Sequence, residues 1–367
     1  MAEARLQITN VAVTDGTLAE LEREWLVVEA RSSPPPYLTF AWLESWIEVY
    51  EPRRLRALRV VDPDERVIGL GLVEELPLRR IRFAGAPVTP IRGMLSSPGR
   101  EAQVWDAVAN WIASGSCSYG SLSATGIEAH RSPIPGRVLA ALPWFSLDLP
   151  GTFDEYLASL GRSTRKVCRR RLRAAEKEGV VAMTLPPESA GRGLAAFLSL
   201  HRARAEARRE LHPAVDHRML AMLGRVLARG KPELRVNVVE RNGTTLAAAI
   251  CLYDDDTCWG YNMGFDPSAA RLSPGVLVHL QEIRAALEHG SRRSDLGQGD
   301  HAYKRLLGGK PIERLKLELT SQSAAGRVMR WAAEFRNHAQ RDPRLRAAAL
   351  AARRRAARLR APIRRSL

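Results

Sequence analysis

Met263-Gly264-Phe265-Asp266-Pro267 leads through three small residues into Arg271-Leu272-Ser273-Pro274-Gly275, and further on the chain reads Asp295-Leu296-Gly297-Gln298-Gly299-Asp300-His301-Ala302-Tyr303-Lys304-Arg305. The first stretch closes an apolar run, turns, and begins a helix with Ser at the cap, Pro at the first helical position and Gly beside it. A helix start of this kind presents free backbone N–H groups and the positive end of the helix dipole. With Arg271 nearby, Ser273 and Gly275 form a candidate diphosphate site.

Outward from this stretch, the apolar periodicity predicts three strands at 234–240, 244–252 and 258–263, joined by Arg241-Asn242-Gly243 and Tyr253-Asp254-Asp255-Asp256. That is an antiparallel meander. It feeds a helix over 274–289, a strand at 293–296 and a last strand at 313–319. Upstream, Thr152 caps a short helix, Ser163 caps a longer one that Gly179 ends, and residues 180–185 read as a strand. Helices follow over 189–210 and 215–229. The first part shows a strand at 6–13, a helix at 17–29, and a second helix capped by Thr39 with Trp42, Leu43, Trp46 and Ile47 on one face. A hairpin spans 56–61 and 67–74 around Asp62-Pro63-Asp64-Glu65, and a helix over 99–114 leads to a strand near 119–124. The Pro-, Gly- and Ser-rich segment 130–143 reads as the connection between two halves.

The fold class is therefore α/β with mixed sheets. The expected organisation is an N-terminal domain over 1–145, a C-terminal domain over 146–320 and a basic helical tail over 321–367. The length of 367 residues exceeds what one core usually fills. Its 45% hydrophobic and 26% charged residues exclude a disordered or fibrous chain. The longest unbroken apolar run, 246–253, is too short for a membrane helix, and the first ten residues lack a secretory pattern, so a cytoplasmic location is expected. Cys117, Cys168, Cys251 and Cys258 have no paired spacing and His201, His212 and His217 no metal-ligand spacing, so free thiols and no metal are expected.

The net charge of +16 is uneven. Residues 320–367 hold 13 Arg against Glu334 and Asp342, leaving the rest nearly balanced. Val328, Trp331, Ala332 and Phe335 form an apolar stripe that predicts docking of the first tail helix on the body. A second cluster over 162–177 sets eight cations against Glu176 on a predicted helix, where Arg165, Arg169 and Arg173 share a face. Either cluster would suit tRNA or an anionic membrane surface, or simply a solvated face.

The order strand, Ser-Pro-Gly helix, then Asp, Gly and Tyr-Lys resembles the CelD/BcsL-type branch of the GNAT acyltransferases, which is related to the Fem-type ligases. Pro36-Tyr37-Leu38-Thr39 with Trp42-Leu43 is similar to that family's N-terminal block, and Ser163, Arg165, Arg169 to Arg171 and Gly179 to its basic helix. The resemblance covers 36–319. It departs from the family at Leu296, Gln298 and Leu306-Leu307, which leaves the acceptor open. It implies two GNAT-like domains in tandem, the first reduced to a scaffold and the second using acetyl-CoA or another acyl-CoA as co-substrate without a metal.

Acyl transfer from a thioester to an amine needs bound phosphates, an oxyanion donor and proton management. Arg271, Ser273 and Gly275 are the phosphate candidates, and Asn262, at the end of the strand that would admit pantetheine, is a further cofactor contact. Lys304 is the candidate for the oxyanion or a phosphate and Tyr303 for protonating the thiolate. Asp300, with His301 beside it, is the candidate for receiving the amine proton. Asp295 reads as a strand-end carboxylate capping the Gly-rich turn after it. The leading expectation is an N-acyltransferase acting on a polysaccharide- or envelope-related amine. Alternatives are aminoacyl transfer from tRNA, as in Fem-type ligases, and a non-catalytic scaffold that binds nucleic acid or membrane through its tail.

Overall fold

A computed structural model describes residues 6–115, 117–128, 137–208, 215–323 and 326–327. The stripe of Val328, Trp331, Ala332 and Phe335, and nearly all of the arginine-rich tail, lie outside these residues.

The first half runs β1 (Gln7–Ala12), α1 (Asp15–Ser32), α2 (Phe40–Tyr50), β2 (Leu55–Val61), β3 (Val67–Leu76), β4 (Arg80–Phe83), β5 (Leu95–Ser96), α3 (Glu101–Ala113) and β6 (Ser121–Glu128). After β7 (Arg137–Asp148) come α4 (Phe153–Ser159) and α5 (Arg162–Lys177). The second half continues with β8 (Val180–Thr184), α6 (Ala190–Arg208), α7 (His217–Arg229), β9 (Glu233–Arg241), β10 (Thr244–Tyr253), β11 (Thr257–Phe265), α8 (Pro274–His289), β12 (Arg293–Gln298), α9 (Ala302–Leu306) and β13 (Lys310–Thr320).

All thirteen strands belong to one sheet, in the order β1-β2-β3-β4-β6-β13-β7-β12-β11-β10-β9-β8, with β5 beside β3. The two halves repeat each other. β1-α1-α2-β2-β3-β4-α3-β6 matches β8-α6-α7-β9-β10-β11-α8-β12 in order, and the last pair of each series, β4 with β6 and β11 with β12, is parallel. The seam is an exchange of strands: β7 pairs with β12 of the second half, β13 pairs with β6 of the first, and β7 and β13 pair with each other. Neither half closes its sheet without the other's strand. The expected boundary at 145/146 falls inside β7.

Local signals act largely as the sequence predicts. Thr39 accepts from the Trp42 amide and Thr152 from the Glu155 amide, completing a capping box at α4. Gly179 and Gly290 lie in the left-handed region just past their helices, where a side chain would be strained. Two expectations need correction. Ser163 does not cap α5, which begins at Arg162 after Gly161, so Ser163 lies inside the first turn. Within 130–143, the connection gives way to strand from Arg137, because β13 offers this stretch ladder partners along one edge, and β12 joins on the other edge from Trp144.

One core joins the halves. Trp25, Trp42, Trp46 and Tyr37 from the first pack with Met222, Leu223, Val226 and Trp259 from the second, all buried. Tyr37 stands edge-on to both Trp42 and Trp259, at 5.2 and 6.0 Å between ring centroids. The Tyr261 hydroxyl donates to the Val88 carbonyl at 2.9 Å. The Pro36-Tyr37 block is thus an inter-half contact, laid against the strand that borders the site.

Candidate active site

β11 and β12 pair only from Thr257–Trp259 against Arg293–Asp295. Beyond Trp259 the two strands part. Gly260 sits at the fork, where an added Cβ would lie 3.1 Å from the Asp295 carbonyl oxygen, and Gly297 follows at φ 76°. The corresponding fork of the first half is closed: Arg92, in the loop between β4 and β5, exchanges backbone hydrogen bonds of 2.9 and 3.1 Å with Thr125 of β6.

The open fork holds a cavity. β11 supplies Gly260 to Met263, β12 supplies Ser294 and Leu296 to Gln298, α8 supplies His279, Glu282 and Ile283, and Arg204, His301, Tyr303 and Lys304 also line the wall. At the other end of the unpaired β11 edge, Met263 and Phe265 face Gly275 in the first turn of α8, where an added Cβ would lie 3.3 Å from each side chain. A single strand edge therefore connects the cavity to a helix N-terminus.

The predicted residues divide between these two ends. Ser273, Gly275 and Arg271 belong to the helix start and do not line the cavity. Ser273 occupies the cap position in the left-handed region (φ 54°, ψ 45°), but its hydroxyl makes no capping bond; its carbonyl starts the helix by accepting from Val276 and Leu277. The exposed Arg271 guanidinium pairs with Glu178 at 3.3 Å. Asn262 lines the cavity, with its side-chain oxygen turned back to the Met263 amide at 2.9 Å.

Lys304 is buried, and its ammonium donates to the carbonyls of Gly297 (2.7 Å) and Gln298 (2.8 Å). It pins the turn after β12. Burial pulls it down to about 8 against the pull of Asp295 and Asp300. The role on a phosphate is corrected: two of its three donors serve backbone carbonyls, and the phosphate candidates lie at the other end of the strand edge. Tyr303 also borders the cavity and stacks on His279 at 4.3 Å with 5° between planes. Burial and then the Glu282 charge hold its phenol above the ordinary value, which makes it a poor acid for a thiolate. Asp300 does not line the cavity; it is exposed, pairs with Arg305 at 2.8 Å, and is held below the usual carboxylate range by that partner. Asp295 behaves as the sequence suggests: one oxygen accepts from Gly297 N (2.8 Å) and from Trp144 Nε1 (2.6 Å).

His279 and Glu282 were not singled out from the sequence. Both are buried, at 8% and 7% exposure, which is unusual for such groups unless paired. His279 Nδ1 is hydrogen-bonded to Glu282 Oε2, and the Cys251 thiol donates to Glu282 Oε1 at 2.8 Å. His279 Nε2 is buried with no hydrogen-bond partner. The available signal was a His and a Glu spaced i, i+3 among the inward positions Leu277, Val278, Leu280 and Ile283.

The family model described as an acetyltransferase (GNAT) domain matches residues 162–305. Residues 162–305 are thus similar to a GNAT-type acetyltransferase domain. Three solved structures share the larger architecture. A structure of FemX is 13% identical with a TM-score of 0.60, covering 85% of this chain and 97% of its own. The L-PGS from Bacillus licheniformis is 11% identical with a TM-score of 0.53, covering 88% and 97%. A conserved protein of unknown function from Bacteroides thetaiotaomicron is 10% identical with a TM-score of 0.53, covering 86% and 100%. At these identities the likeness is one of fold. No curated protein matches the sequence. Among the described residues, no helix is long and apolar enough to cross a membrane, and no three His, Cys, Asp or Glu side chains gather to hold a metal ion.

Proposed function

We propose that the protein is an acyl-CoA-dependent N-acyltransferase whose second half carries the site and whose first half is a scaffold. One observation carries this reading: the unpaired edge of β11 runs from the start of α8 to a cavity rich in titratable groups. The α8 N-terminus, with Ser273, Gly275 and Arg271, would receive the diphosphate. The open β11 edge beside Asn262 would hydrogen-bond the pantetheine amides. The co-substrate supplies a thioester-activated acyl group. At the cavity end, the remaining Lys304 donor would face the developing oxyanion. The closed fork between β4 and β6 supports a scaffold role for the first half, since no equivalent path is open there. The acceptor would be an amine of a polysaccharide or envelope precursor met in the cytoplasm or at the inner face of the membrane.

Titration calorimetry with acetyl-CoA tests the reading. Saturable binding and a raised Tm are expected. Gly275→Val, which drives a branched side chain towards Met263 and Phe265, should weaken binding by roughly tenfold or more through the clash. Absence of both heat and thermal shift in the wild type would refute the proposal.

The exposed cations of α5 favour a second reading, aminoacyl transfer from tRNA. It predicts tRNA binding that falls steeply with salt and is lost when Arg165, Arg169 and Arg173 are changed together to Gln. Binding to anionic vesicles instead of tRNA would point to a membrane surface.

A further inference from the structure

We propose that His279 is the general base of the acyl transfer and that Glu282 is its positioning residue, an assignment that rests on the acyltransferase reading above. Two contacts fix the imidazole and a third fixes its carboxylate partner. Glu282 takes Nδ1, the Tyr303 ring lies flat against its face, and the Cys251 thiol holds the second oxygen of Glu282. With Nδ1–H given to the carboxylate, the proton-free nitrogen is Nε2. That atom is buried, lacks a hydrogen-bond partner, and belongs to a residue lining the cavity where β11 and β12 part. A buried lone pair without a partner is costly in a protein interior. It is the arrangement a base needs before its substrate arrives.

The step balances within the site. The acceptor nitrogen bonds to the acyl carbon as the carbon–sulfur bond breaks. The proton lost by the nitrogen passes to His279 Nε2 and from there to the departing thiolate, so the imidazole ends as it began. Glu282, hydrogen-bonded to Nδ1, stabilises the transient imidazolium. Asp300 and Tyr303 are not required as base or acid.

Diethyl pyrocarbonate, which acylates proton-free imidazole nitrogens, tests this on the full chain by mass-spectrometric mapping, with acetyl-CoA binding followed in parallel by calorimetry. In the wild type His279 should be modified, and saturating acetyl-CoA should protect it at least about fivefold while exposed His217 reacts unchanged. Glu282→Gln keeps the side-chain shape but gives Nδ1 a neutral partner, and should change the rate of His279 modification several-fold. A merely structural role for Glu282 would leave that rate unmoved. Should His279 stay unmodified while His217 reacts, or react undiminished under saturating acetyl-CoA, the base assignment falls although the acyl-CoA reading stands. Should acetyl-CoA not bind, that reading falls and takes this role with it. The wild-type arms decide the matter even if Glu282→Gln fails to fold.

Discussion

Asp295 and Arg314 lie 3.5 Å apart in the seam, each side chain almost wholly buried, one on β12 of the second half and the other on β13, which has crossed to the first. Arg314 also reaches Glu128 and the Gly126 carbonyl, both at 2.9 Å, and its guanidinium lies between the Trp144 and Trp259 rings at 5.0 and 5.5 Å. Trp144 in turn donates to Asp295. The pair is therefore a clasp between β12 and the exchanged β13.

Asp295→Ala leaves the Arg314 charge and the Trp144 N–H without this partner, and should cost about 3–5 kcal/mol, the usual penalty for breaking a buried pair. Guanidinium denaturation measures it. Burial holds the Asp295 carboxyl above its ordinary value despite Arg314. The associated stability is therefore greatest in acid and declines as pH rises through the raised folded value, beginning near the unfolded value of about 3.9. Asp295→Asn should flatten that decline, and an unchanged pH profile would contradict the assignment.

Lys304 titrates in the opposite sense. Its folded form is pulled down to about 8, so the unfolded chain binds the extra proton between there and about 10.4, and stability should rise with pH across that window. Lys304→Met removes this slope and strands the Gly297 and Gln298 carbonyls, with a net loss of about 2 kcal/mol. Denaturation midpoints taken across the window for both proteins check slope and offset together.

Gly264 has no room for a side chain. A Cβ there would meet the backbone nitrogen of His201 at 2.5 Å and the Phe197 carbonyl oxygen at 2.9 Å, so α6 rests directly on β11. Gly264→Ala must push the helix away from the strand that borders the site, and should cost about 1–3 kcal/mol. Thermal unfolding reports the loss. Acetyl-CoA affinity should fall alongside it, because the open edge moves with β11.

Between α2 and α7, Arg229 bridges Glu44 at 2.9 Å and Glu48 at 2.8 Å, and Arg225 reaches Glu48 at 2.7 Å. These groups are partly solvated, so a double-mutant cycle on Arg229 and Glu48 should return only about 0.5–1 kcal/mol of coupling, reduced further by salt. A much larger value would mean that the halves depend on this network rather than on their shared aromatic core.

Much of the local structure could be read directly. Thr39 and Thr152 announce helix starts, Pro274 places the beginning of α8, and Asn242-Gly243 turns β9 into β10, because each acts over a few residues. The short α9 and the four-residue β4 escaped notice because neither is long enough to show a period. Within the candidate site, Ser273 and Gly275 stand at the start of α8, and Tyr303 and Lys304 border the cavity. Roles were harder, since Asp300 and Asp295 look alike in sequence while one is exposed beside Arg305 and the other sealed beside Arg314.

The sequence by itself determined the longer elements, their order and the helix start beside Gly275, because periodicity, caps and turn residues are short-range effects. Only the tertiary structure decided which fork of the duplicated sheet stays open, that β7 and β13 change places across the seam, and that a His and a Glu three residues apart on α8 face that opening. Those outcomes depend on which distant strands compete for the same backbone hydrogen bonds and which side chains water can no longer reach, and neither is written in any local stretch of chain.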